Sequence, residues 1–110
     1  MILIPYGFTS EPAPGFEKMK NLAEKSNEAL YKVHGTKYEV GCIPCMLYVA
    51  SGGSMDWALG VAGIPYSFGM ELRDTGLHGF LLPPDQIIPT AEETWAFHEN
   101  AARMIIDEFV

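Results

Sequence analysis

Between Ile64 and Leu72, bulky apolar and small residues alternate with a period of two. Tyr66, Phe68, Met70 and Leu72 fall on one side of an extended chain, and Ser67, Gly69 and Glu71 on the other, because successive strand side chains point to opposite faces. The second face is small and ends in a single carboxylate, which predicts an acid above open space rather than in a core. The same reasoning predicts a short buried strand over Met1–Ile4, ended by Pro5 and Gly7. Thr9 to Gly15, with Pro12 and Pro14, reads as a loop. Phe16, Met19, Ala23, Ala29/Leu30 and Val33 recur at helical spacing and predict a helix over 16–33, closed by Gly35. Tyr38 to Val40 reads as extended. Ser54 can cap a short helix to about Leu59, with Gly60 and Gly63 at its exit. Thr75 to Pro84 is punctuated as a loop. A last helix is predicted from Thr90 to about Phe109. Thr90 and Glu93 make a capping box there, and Glu92 and Glu93 favour the positive helix start. Trp95, His98, Ala102, Ile105 and Phe109 form its apolar stripe.

Strands and helices in this order predict an α/β layer fold. A strand as apolar as Met1–Ile4 needs cover on both faces, so the chain reads as one flank of a larger sheet. Alone, it would expose Met1–Ile4 with unpaired backbone groups. Poor folding or association of the isolated 110 residues is the expectation.

Composition narrows the function. With 110 residues, one domain is the natural expectation, and 48% hydrophobic residues with a mean hydropathy of +0.08 suffice for a core. The formal net charge of −7 disfavours nucleic-acid binding, which needs clustered Lys and Arg. No apolar run approaches the ~18 residues of a membrane span. Met1–Ile4 before Pro5 is too short for a signal-peptide core, so the chain reads either as cytosolic or as lacking its own beginning.

Cys42 and Cys45 form a C-x-x-C pair. A redox pair belongs at a strand-to-helix junction. Met46–Val49, however, reads as strand or extended loop. A zinc half-site needs two further ligands, and no second C-x-x-C or H-x-x-x-H exists. Small, partly buried thiols or a local disulfide are favoured over redox or metal chemistry.

Several separated motifs now occur in a specific order. They are Tyr48, Ser51-Gly52-Gly53-Ser54, Asp56-Trp57, Tyr66-Ser67-Phe68, Glu71-Leu72-Arg73-Asp74-Thr75-Gly76, Gly79-Phe80-Leu81-Leu82-Pro83 and Gln86-Ile87-Ile88-Pro89-Thr90. Together they resemble the zinc metallocarboxypeptidases of peptidase family M14, digestive A/B type. The resemblance runs through nearly the whole chain but covers only about the last third of such a domain. It implies the C-terminal part of a three-layer α/β/α mixed-sheet catalytic domain over residues 1–110. It also implies zinc in the intact enzyme, peptide or protein C-termini as substrates, and an extracellular setting. The family's zinc ligands, a His-x-x-Glu pair and a later His, lie upstream of the matched segment. His34, His78 and His98 do not reproduce that pattern, so no metal ligand is assigned here. The missing N-terminal part of the domain is then a partner.

Carried over residue by residue, the resemblance gives Glu71 the general acid/base role. It would take a proton from a zinc-bound water and deliver it to the leaving amine. The bland alternative is a strand-end Glu paired with Arg73. Tyr48 matches the mobile tyrosine that closes over substrate, beside the flexible Ser51-Gly52-Gly53. Ile43, Ala50, Met55 and Gly69 match positions lining the pocket for the terminal side chain, and Phe80 one flanking the substrate a position inward. A methionine at position 55, where the basic-preferring type has an acid, implies apolar or aromatic C-terminal residues. The family's general pattern lacks Cys42 and Cys45, and Trp57–Ile64 is one residue longer than expected. A zinc-dependent carboxypeptidase fragment, inactive alone, is the leading reading. A non-catalytic peptide-binding or pseudoenzyme fragment is the alternative.

Overall fold

The computed structural model describes residues 1–74 and 76–110; Thr75, part of both the motif and the loop expected there, lies outside the described residues. The chain forms two compact units. The first comprises Met1–Ala23 and Glu39–Glu71, the second Glu24–Tyr38 and Leu72–Val110. The helix α1 (Phe16–His34) contributes its opening turns to the first and the rest to the second.

The first unit is built on a three-stranded mixed sheet of order β2-β1-β3. Its strand β1 (Ile2–Ile4) runs parallel to β2 (Val40–Cys42) and antiparallel to β3 (Gly69–Met70). Ile2 faces Val40 on one side and Met70 on the other, and Leu3 faces Gly41 and Gly69. The expectation of an exposed, unpaired β1 is therefore wrong. Two segments distant in sequence, 40–42 and 69–70, satisfy its backbone from both sides, and all three of its side chains are buried. Among the described residues β2 and β3 flank β1, and both are very short.

The strand predicted over 64–72 shrinks to Gly69–Met70, extended by Glu71, whose N–H donates to the Met1 carbonyl. The preceding residues are engaged elsewhere: the Ser67 hydroxyl donates to the Met55 carbonyl at 3.1 Å. Half of the predicted face still packs inward. Tyr66 and Phe68 lie against Ile4, Ala13 and Met19 with Tyr6, Phe16, Val40 and Leu59, whereas Leu72 is exposed.

Helix α1 follows its periodicity closely. The Phe16 N–H donates to the Ala13 carbonyl at its start, and the Gly35 N–H to Tyr31 at its end. Gly35 sits at φ +77°, the left-handed C-terminal geometry that costs glycine least. Its buried residues are Met19, Leu22, Ala23, Ser26 and Leu30, spaced by three and four. Val33, placed on the predicted stripe, is exposed. Leu22 and Ser26 join it instead, and Ser26 accepts a hydrogen bond from Asn100.

The second unit contains the long helix α4 (Ile87–Phe109), entered through a 3₁₀ turn at Pro84–Gln86. It starts three residues before the predicted Thr90. Pro89 is tolerated in its first turn, where no N–H is needed. The Thr90 hydroxyl donates back to the Gln86 carbonyl at 2.6 Å rather than capping. Glu93 is not a capping partner either. It is fully buried and takes a two-pronged ion pair from Arg73, Nε to Oε1 at 2.8 Å and Nη2 to Oε2 at 2.7 Å. Arg73 Nη2 also donates to Thr36 Oγ1, and the Tyr38 hydroxyl faces Glu93 at 3.5 Å. Thr90, Glu93 and Phe97 are the buried residues of α4, whereas the predicted stripe leaves Trp95 and Phe109 exposed. Apolar residues run round most of this helix, so periodicity alone does not choose a face; the position of the Arg73 partner does.

Glu93 raises the Arg73 pKa, and burial, reinforced by the Glu93 charge, raises that of the Tyr38 phenol above its ordinary value of 10. The neutral phenol is thus favoured in the fold. Its contribution is complete below pH 10 and is lost as pH rises through the folded-state value. Tyr38→Phe should accordingly flatten the alkaline limb of a stability–pH curve. Glu93→Ala leaves the guanidinium without its counter-charge and should cost about 3–5 kcal/mol in urea unfolding. The double variant Arg73→Met/Glu93→Leu should cost clearly less than the single one.

Candidate active site

Asp56 organises the site region of the first unit. It lies in the first turn of α3 (Ser54–Gly60), and its carboxylate is buried. The Gly7 N–H donates to both of its oxygens, at 2.9 and 3.0 Å, and the Phe8 N–H to Oδ2 at 3.1 Å. A buried acceptor with this many backbone donors is well satisfied, and hydrogen bonds to a charged acceptor are about twice as strong as neutral ones. The segment just beyond β1 is thereby fixed to the start of α3.

Two pairs of the residues expected to line the pocket meet around this anchor. Ile43 and Ala50 converge on Gly7. A Cβ built at Gly7 would lie 3.1 Å from the Ala50 carbonyl and 3.3 Å from the Ile43 side chain, and the Ala50 N–H donates to the Gly7 carbonyl at 2.8 Å. Met55, next to Asp56, meets Gly69. A Cβ at Gly69 would come within 2.6 Å of the Met55 sulfur, so only glycine leaves the thioether its present place. Tyr48 is 71% exposed and follows α2 (Ile43–Met46) at the start of an irregular stretch. Glu71 is exposed just past β3, two residues beyond Gly69. Arg73, the partner expected for Glu71 in the alternative reading, pairs with Glu93. Phe80 belongs to the second unit and is fully exposed.

Two features here escaped the sequence reading. The Asp56 anchor was visible only as half of an Asp-Trp motif; its early position in a short helix signalled a backbone acceptor without naming the donors. The second is the turn of helix that carries the cysteine pair, whose local disulfide was among the favoured readings. Cys42 ends β2 and Cys45 lies in α2, joined by a disulfide. Ile43–Met46 form a turn of helix, since Pro44 suits a helix start and Cys42 caps it, and residues 47–49 beyond it are irregular, in line with the strand or extended loop expected over Met46–Val49.

Zinc chemistry can be tested against the donors. Among the described residues no group of three or more His, Cys, Asp and Glu side chains could hold a metal ion. His34 Nε2 lies 2.7 Å from Glu92, His98 Nδ1 bonds the Thr94 carbonyl, and both cysteine sulfurs are spent in the disulfide. The residues present do not form a zinc site. Among the described residues no helix is long and apolar enough to cross a membrane. Asp74, next in the motif, has its carboxyl pKa lowered chiefly by the His78 amide, which donates to it at 2.7 Å.

Glu71 at the end of β3, the Met55–Gly69 contact and the exposed Tyr48 all belong to the first unit. Residues 1–97 match the zinc carboxypeptidase family, peptidase M14, and the chain belongs to that family. It is 57% identical over 95 residues to carboxypeptidase A1 of Mus musculus, covering 86% of this chain and 22% of that protein. It is 45% identical over 107 residues to carboxypeptidase B of Astacus astacus, covering 97% of this chain and 35% of that protein. In three dimensions it matches bovine thrombin-activatable fibrinolysis inhibitor, solved in complex with tick carboxypeptidase inhibitor. That match has a TM-score of 0.93 and 34% identity, over 97% of this chain and 36% of that one. The chain thus has an α/β carboxypeptidase fold and spans between about a fifth and a third of these curated relatives.

The anchor is directly testable. Asp56→Ala should cost about 2–4 kcal/mol, since it strips several charge-assisted bonds and orphans buried N–H groups. Hydrogen exchange at Gly7 and Phe8 should accelerate by at least about thirtyfold, while the ion-paired region around Glu93 stays protected.

Proposed function

We propose that residues 1–110 form the C-terminal segment of one metallocarboxypeptidase catalytic domain, in which Glu71 is the general acid/base. Family membership and the solvent-facing position of Glu71 at the end of β3 support this reading. Glu71 would take a proton from the attacking water and hand it to the leaving amine nitrogen; one carboxylate can serve both steps. Tyr48 would close over the substrate, and Phe80 would flank it one residue inward. Ile43, Ala50, Met55 and Gly69 would surround the terminal side chain. The neutral Met55 thioether lying over Gly69 supports a preference for apolar or aromatic C-terminal residues.

In this reading the zinc ligands of the intact enzyme lie in the remainder of the domain, and the segment alone is inactive. Exposed apolar residues support that division. Ile87, Ile88, Trp95, Ile106 and Phe109 all face solvent on α4, a pattern suited to a helix covered on several sides by further protein. The substrates are peptide or protein C-termini, and the intact protein is placed outside the cell by analogy with the digestive members of the family.

The reading is tested in the longest polypeptide carrying this segment. Glu71→Gln should lower kcat on a peptide ending in phenylalanine by at least about a thousandfold with little change in KM. Met55→Asp should move the preference towards C-terminal lysine or arginine by about tenfold or more. A Glu71→Gln enzyme of normal kcat would reject the assignment. So would the isolated 110 residues binding zinc stoichiometrically and cleaving peptides.

A further inference from the structure

The Cys42–Cys45 disulfide touches the pocket region from outside it. Cys42 is the last residue of β2 and caps α2, with the Cys45 N–H donating to the Cys42 sulfur at 3.2 Å. Between the two cysteines sits Ile43, buried and in contact range of Gly7. Behind the bridge is a cleft of about 150 Å³ that both cysteines line, with Tyr6, Pro12, Phe16 and Pro44 as its apolar walls. Glu11 is the charged residue at its rim.

These observations make the bridge accessible, weakly committed and chemically asymmetric. A bridge spanning only two intervening residues removes little entropy from the unfolded chain, so the fold gains little by retaining it. Cys45 is exposed, whereas Cys42 is half-buried. The N–H already aimed at Cys42 would stabilise negative charge on that sulfur and make it the better leaving group.

We propose that Cys42–Cys45 is a thiol–disulfide exchange site for a small, uncharged dithiol, and that its oxidation state sets how firmly Ile43 is held against Gly7. One thiolate of the dithiol attacks the Cys45 sulfur. A bond forms between those two sulfurs, the Cys42–Cys45 bond breaks, and its electron pair leaves on Cys42, which accepts the Cys45 N–H. The second thiolate then attacks the reagent's own sulfur in the mixed disulfide. The reagent closes into a cyclic disulfide and Cys45 departs as a thiolate. Two electrons pass from the dithiol to the protein, and the two protons shed by the reagent end on the two cysteines. The narrow cleft and Glu11 disfavour bulky anionic thiols such as glutathione. In the reduced form α2 loses its covalent closure and Ile43 is freer to leave Gly7. The inference stands apart from peptidase activity, since it uses neither Glu71 nor a metal.

The test uses dithiothreitol and glutathione as probes, with maleimide trapping, mass analysis and hydrogen exchange. Dithiothreitol should reduce the native chain with its far-ultraviolet dichroism unchanged, at least about tenfold faster than glutathione at equal thiolate concentration. Exchange at the Ala50 and Gly7 amides should then rise severalfold. With 2-mercaptoethanol as an uncharged monothiol and acid quenching, the first mixed disulfide should form on Cys45 at least about tenfold more often than on Cys42, as read by peptide mapping. A bridge that yields only in denaturant, mixed disulfides divided equally between the two cysteines, or unchanged exchange at Ala50 and Gly7 would each overturn the proposal.

Discussion

The carboxylate of Asp56 is the interaction on which the first unit depends. Two backbone N–H groups, from Gly7 and Phe8, would otherwise be left without partners in the turn that leaves β1. A charged acceptor reaching them from α3 satisfies both and fixes where that helix begins. Ile43, Ala50, Met55 and Gly69, the residues proposed to surround the terminal side chain of the substrate, are tied to that fixed point. Met55 is the residue before the anchor. Gly7 is one of its donors, and Ile43 and Ala50 pack or bond to Gly7. A shift of α3 would therefore disturb the Met55–Gly69 and the Ile43, Ala50 and Gly7 contacts together.

The second unit has a counterpart in the Arg73–Glu93 pair. A fully buried carboxylate is tolerable only when its charge and lone pairs are met, and the fork of Arg73 meets both oxygens. The pair also decides which side of α4 turns inward. Arg73 follows Glu71 by two residues in sequence and is committed to Glu93. This division lets Glu71 remain in solvent while its neighbour carries the structural charge.

Much of the fold could be read from local pattern. The long α1 helix, its glycine terminus, the short helix after Gly53 and the strand at Ile2–Ile4 follow from periodicity and turn chemistry, because those signals act within one or two turns of chain. The misreadings share one cause. Period two over 64–72 was real, but pairing partners were available only for Gly69 and Met70. Thr90 and Glu93 had capping-box spacing, yet a distant arginine claimed the glutamate. C-x-x-C spacing was plain and a local disulfide was favoured, but the turn of helix over Ile43–Met46 depended on Pro44 and on the packing of Ile43. The pocket residues belonged to scattered motifs that the sequence could order but not bring together.

By itself the sequence determined the main strands and helices and their order, apart from the turn of helix at Ile43–Met46, together with the acidic net charge and the family motifs that contain Glu71. These are properties of neighbouring residues and of residue identity. The tertiary structure alone decided that β1 is the central strand rather than an edge, that Thr90, Glu93 and Phe97 mark the inward side of α4, and that Asp56 binds Gly7 and Phe8. Each of these is a choice among partners far apart in the chain, made by whichever pairing leaves the fewest buried polar groups unmet. Hydrophobic spacing shows that a face wants burial. It does not say against what.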